Sequence, residues 1–151
     1  MFLYNEVQKR EANKEQVRVG LIGAGKFGSM FLSQAPFTIG LEVISIVDIN
    51  VENAKKNCRD LGWTKEQIES VLFFDNLKKM ISQTKIDVLV EATGDPVEGT
   101  KHALIAIEEG LDIVMVNVEA DVLSGPYLAK EADKAGIVYS MAYGDQPALT
   151  T

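Results

Sequence analysis

Gly23, Gly25 and Gly28 stand in the spacing G-x-G-x-x-G, with Ala24, Lys26 and Phe27 between them. Each glycine has a physical task in a turn that holds a pyrophosphate. Gly23 permits the tight turn. Gly25 lacks a Cβ, so a phosphate can approach the backbone. Gly28 allows the following helix to pack close to the preceding strand. The helix that starts here offers free N–H groups and the positive end of its dipole to an anion. Asp48, 25 positions after Gly23, is placed to accept hydrogen bonds from the hydroxyls of an adenosine ribose. A carboxylate there repels a 2′-phosphate, so the expected cofactor is NAD in preference to NADP. Lys55, Lys56 and Arg59 are the cations that could fold back onto such a phosphate and reverse that preference.

Two further clusters follow apolar runs. Thr93 and Gly94, in the stretch Ala92-Thr93-Gly94-Asp95, are expected beside the dinucleotide, although a plain strand-to-helix turn explains Thr93 and Asp95 equally well. Asn117 and Glu119, in Asn117-Val118-Glu119-Ala120-Asp121, are expected toward the nicotinamide or the substrate. Glu119 is the candidate acid/base group. Helix capping by Asp121 or simple exposure is the competing reading. His102 and Cys58, the single histidine and single cysteine, read as packing residues. Met30, Met80, Met115 and Met141 read as core filling. There is no histidine-rich or cysteine-rich set, so no metal site is expected.

These residues need a scaffold, and the sequence alternates strand and helix signals throughout. Short apolar runs at 17–22, 42–47, 71–74, 86–91, 112–116 and 137–140 read as six strands. Helices are expected at 26–34, 51–61, from Thr64 (a Thr-x-x-Gln capping box), from an Asp75 cap to about Ser82, at 96–109, and from 124 to Gly136. Residues 2–16 read as an N-terminal helix. Near-continuous apolar strands in alternation with helices point to a parallel sheet covered on both faces. The expected fold is a Rossmann-type doubly wound α/β domain over 17–151, preceded by the helix within 1–16, with strand order 3-2-1-4-5-6.

Composition narrows the function. The 151 residues carry 15 Lys+Arg against 22 Asp+Glu, a net charge of −7, which disfavours nonspecific nucleic-acid binding. No apolar run approaches the roughly 20 residues of a membrane span. The first six residues lack a basic and apolar leader, so the expected location is the cytoplasm.

The first strand with Gly23–Gly28, the segment Val90-Glu91-Ala92-Thr93-Gly94, and residues 116–123 resemble the N-terminal NAD(P)-binding domain of homoserine dehydrogenases. The resemblance covers most of residues 17–150. Residues 114–121 and 142–149 look more specifically like the homoserine-dehydrogenase-like oxidoreductases with a C-terminal SAF domain, the deoxyxylulose-phosphate reductoisomerase-like group. Homoserine dehydrogenases carry Thr-Ala-Asn-Lys after this strand. Alignment on the strand and on Leu123 puts Glu119 at the asparagine and Ala120 at the lysine. Their Gly-Gly-x-Pro is here Gly144-Asp145-Gln146-Pro147. These departures point away from homoserine and toward another small, including a phosphorylated, substrate.

The resemblance implies a parent protein that continues into a catalytic, dimerising domain. The chain alone is then expected to bind cofactor without turnover, and Tyr143 and Leu149 to be apolar surface left by truncation. Two rivals remain: an NAD(H)-sensing module without chemistry, and an S-adenosylmethionine site. The full glycine motif and a sixth parallel strand argue against the latter.

Overall fold

The computed structural model describes residues 2–142. Six strands form one sheet: β1 (Val17–Ile22), β2 (Leu41–Val47), β3 (Leu72–Phe74), β4 (Val88–Glu91), β5 (Asp112–Met115) and β6 (Tyr139–Met141). Their order is β3-β2-β1-β4-β5-β6 and every neighbouring pair is parallel. Seven α-helices accompany them: α1 (Phe2–Ala12), α2 (Lys26–Gln34), α3 (Val51–Asp60), α4 (Lys65–Ser70), α5 (Leu77–Gln83), α6 (Pro96–Glu108) and α7 (Val118–Ala135). This is the Rossmann-type order expected from the alternation. Residues 143–151, including Tyr143, Gly144-Asp145-Gln146-Pro147 and Leu149, lie outside the described residues.

Both faces of the sheet are covered, as parallel strands require. One core joins Val19, Leu21, Val43 and Val90 to Leu32 of α2 and to Ala54 and Cys58 of α3. The other joins Ile22, Leu89, Ile113 and Met115 to Met80 of α5, Ala103 and Ala106 of α6, and Leu128 of α7. Burial pushes the Cys58 thiol above its usual range, as fits a packing residue. Met80 and Met115 fill core, but Met30 is exposed on the outer side of α2.

The largest correction concerns α7. It begins at Val118, so residues 118–121 are its first turn and Pro126 lies well inside it. A proline in the sequence marks a helix start only when no earlier cap competes. Here Asn117 supplies one, its side chain accepting the Ala120 N–H. The cap of α5 is Asn76 rather than Asp75, because Asn76 accepts the Lys79 N–H while Asp75 pairs with the Lys79 ammonium. The capping box of Thr64 and Gln67 forms as expected.

Candidate dinucleotide site

The glycine motif forms the turn between β1 and α2, at the carboxyl edge of the sheet. Gly23 has φ +90°, where a side chain is strained, and a Cβ there would meet the Ala92 carbonyl oxygen at 2.9 Å. A Cβ on Gly28 would collide with the Gly23 carbonyl oxygen. A Cβ on Gly25 would meet nothing within 4 Å. Two glycines are therefore demanded by the protein's own packing. The third leaves space facing outward.

The N-terminus of α2 is chemically distinct from those of α3 to α7. Asn50, Thr64, Asn76, Asp95 and Asn117 cap those five helices with side-chain oxygens. Gly25 caps α2 without any side chain. The first-turn N–H groups of α2 thus have no side-chain acceptor, and Gly25, Lys26 and Phe27 around them are exposed. Ala24 is held beneath them. Its N–H is accepted by Asp48 Oδ2 at 2.9 Å, and its carbonyl accepts the Asn57 amide at 2.9 Å.

Asp48 follows β2 directly, beside this turn. Besides Ala24 it accepts the Asn50 N–H at 2.8 Å through Oδ1. Each oxygen keeps lone-pair capacity, and the residue is only half-buried. Of the three neighbouring cations, the two lysines are engaged elsewhere. Lys55 pairs with Glu52 at 3.0 Å and lies 5.7 Å from the Phe73 ring, and Lys56 pairs with Asp60. Ile49, next to Asp48, is 98% exposed, an apolar side chain at this edge that lies outside any motif spacing.

The β4–α6 turn carries Thr93 and Gly94, both exposed, with Gly94 at φ +74°. Behind them stands a residue that sequence spacing does not mark. Glu91, the last residue of β4, is fully buried. Its Oε1 accepts the Thr93 hydroxyl at 2.5 Å and the Thr93 N–H at 3.3 Å, and lies 3.2 Å from His102 Nδ1 on α6. Its Oε2 has no partner among the described residues. His102 is thus packed, as expected, but against a carboxylate.

Asn117 turns inward and is 2% exposed. Its Nδ2 donates to the Asp95 carbonyl at 2.8 Å, tying the β5–α7 junction to the β4–α6 turn, and reaches Thr93 Oγ1 at 3.4 Å. Glu119 is exposed on the first turn of α7. Asp121 does not cap the helix. It accepts the Tyr139 hydroxyl at 2.8 Å, and burial reinforced by this bond holds that hydroxyl above the usual phenol range. The structure therefore brings Gly23–Gly28, Asp48, Thr93 and Gly94 to one edge, with Glu119 beyond them and Asn117 underneath. A groove of about 320 Å³ at the opposite end of the strands, lined by Gln16, Phe37 and Trp63, is remote from this edge.

The fold is shared with solved oxidoreductases. A myo-inositol dehydrogenase from Lactobacillus casei, in complex with NAD(H) and myo-inositol, is 19% identical with a TM-score of 0.69, covering 84% of this chain and 36% of that one. The WlbA dehydrogenase from Bordetella pertussis, in complex with NADH and UDP-GlcNAcA, is 22% identical with a TM-score of 0.68, covering 84% and 37%. The chain thus spans little more than a third of the length of either. No curated protein matches it. The family model described as the homoserine dehydrogenase NAD-binding domain matches residues 19–140. With that match spanning the glycine turn, Asp48, the β4–α6 turn and Asn117, the chain belongs to the family of homoserine dehydrogenase NAD-binding domains.

Proposed function

We propose that this chain binds NAD across the carboxyl edge of its sheet and is the cofactor-binding part of an oxidoreductase. The observation that carries the reading is the uncapped N-terminus of α2 beneath the open space at Gly25. Gly23, Ala24, Gly25, Lys26, Phe27 and Gly28 form the pyrophosphate turn. Asp48 takes the ribose hydroxyls on its remaining lone pairs, and Ile49 offers an apolar surface to the adenine. Thr93 and Gly94 lie toward the nicotinamide. Asn117 holds their turn in place from beneath, and Glu119 is the acid/base group facing the substrate. The cofactor, when bound, supplies hydride transfer. The protein contributes binding, orientation and electrostatics.

The unit is residues 17–151, with the helix within 1–16 packed on it. The parent protein adds a catalytic and dimerising domain and, in the narrower resemblance, carries a C-terminal SAF domain. It acts in the cytoplasm on a small molecule other than homoserine, a phosphorylated one included. Ala120 supports that choice, because it is fully buried and brings no amine to the first turn of α7. The same alanine favours the second reading, an NAD(H) sensor without turnover.

Calorimetric titration with NAD, NADH, NADP and NADPH tests the cofactor assignment. Tight binding of the NAD pair and weak binding of the NADP pair is the expected result. Asp48→Ala should then weaken NAD more than NADP. Equal losses would remove Asp48 from the ribose. Preference for the NADP pair in the unaltered chain would refute the carboxylate argument while leaving the turn in place. Turnover by the full-length protein, against cofactor binding that changes only its assembly, separates enzyme from sensor.

A further inference from the structure

Glu91 is fully buried at the end of β4, yet one of its oxygens has no hydrogen-bond partner among the described residues. A buried carboxylate in that state is costly beside the simpler alternative of an apolar strand end. The other oxygen fixes a direction. Thr93 Oγ1 lies 2.5 Å from Glu91 Oε1, and a carboxylate oxygen accepts, so the hydroxyl proton points inward. The lone pairs of Thr93 Oγ1 then remain to accept. The two internal donors near them, the Asp95 N–H and Asn117 Nδ2, both stand at 3.4 Å, long for hydrogen bonds. Thr93 is exposed, so a stronger donor can reach it from outside. His102, 15% exposed and 3.2 Å away through Nδ1, holds the carboxylate from the α6 side.

We propose that Glu91, steadied by His102, is a positioning residue that locks the Thr93 hydroxyl as an acceptor for the carboxamide N–H of the nicotinamide, and so selects cofactors carrying the amide. This rests on the dinucleotide reading above. A carboxylate in place of the amide has no proton to give and places a negative oxygen against the Thr93 lone pairs.

The test is calorimetric titration of the chain with NAD, with nicotinic acid adenine dinucleotide, and with ADP-ribose, which lacks the ring. The unaltered chain should prefer NAD over the nicotinic acid analogue by about tenfold, the ratio that corresponds to one hydrogen bond near the top of the usual range. Glu91→Gln, which no longer fixes the direction of the Thr93 hydroxyl, should reduce that preference to about threefold. Thr93→Val should abolish it. ADP-ribose affinity is the internal reference for a folded pyrophosphate turn. If both variants bind ADP-ribose and keep the full preference for NAD, the positioning role is overturned. A purely structural role would lower all three affinities together, and that result also overturns it. Failure of the unaltered chain to bind ADP-ribose would instead overturn the dinucleotide reading beneath it.

Discussion

Gly25 and Gly28 are three residues apart and answer to opposite demands. Gly28 is required by the fold, since a methyl there meets the Gly23 carbonyl. Gly28→Ala should cost about 3 kcal/mol of stability, the upper range for overpacking. Gly25 is free of any neighbour, and at φ −74° it is unstrained. Gly25→Ala should cost less than about 1 kcal/mol, the loss of a slightly better N-cap. It should nonetheless weaken NAD by tenfold or more, about 1.4 kcal/mol. Urea denaturation and titration of the two variants together would separate these effects. Comparable stability losses in both would contradict the open space at Gly25. The glycine motif and Asp48 were legible in the sequence because spacing alone implies their geometry. Glu91 was hidden, because a carboxylate that ends an apolar strand reads as a strand-end charge in water. Its burial arises from Thr93 and from His102 on the next helix, a contact that one-dimensional spacing does not reveal.

At the level of elements, the strands were more legible than the helix starts. Apolar runs located the six described strands with ends displaced by at most two residues: β3, β4 and β6 begin later and β5 stops earlier than the apolar run, while β2 begins and β6 ends one residue beyond it. Helix starts depend on which of several polar residues wins the cap. Asn76 displaced Asp75, and Asn117 moved the start of α7 ahead of Ser124. The Asn117 side chain serves three partners while buried, so Asn117→Ala should lower stability by about 2 kcal/mol. A shift of the urea midpoint would measure it, and no shift would mean that the cap is dispensable. A second tie joins β1 to the residue before β4. Arg18 binds Asp87 through both guanidinium bonds, at 2.6 and 3.0 Å, and its backbone N–H adds a third. The Arg18 hydrogen bonds hold the Asp87 carboxyl below the usual aspartate range. Both side chains are about a third exposed, so the pair contributes only about 1 kcal/mol. Because the folded value is depressed, that contribution is complete above the unfolded carboxyl range and fades as pH falls through the folded value. Asp87→Asn should therefore destabilise the chain at neutral pH, with the difference from wild type shrinking in acid. A difference that stays constant down to strongly acidic pH would contradict the ion pair.

For the molecule as a whole, the sheet separates two cores that share no side chains. Leu32 belongs to one and Leu128 to the other, and both are fully buried. Leu32→Ala and Leu128→Ala should each cost about 3 kcal/mol. In the double variant the losses should add, because the sites lie on opposite faces and share no partners. A marked departure from additivity in denaturant unfolding would show that the two faces communicate through the sheet. The order of the strands also has a consequence in time. The central strand β1 is made before β4, and Asp87, which binds Arg18, lies 69 residues later. At about 5–20 residues per second of synthesis, one side of β1 waits several seconds for its neighbour. Until β4 leaves the ribosome, the nascent chain carries an open strand edge with a lone arginine on it. That unpaired charge is the kind that keeps such edges from joining one another. The residue that later fastens β1 to the incoming segment is thus, until that segment arrives, a charge on an open strand edge.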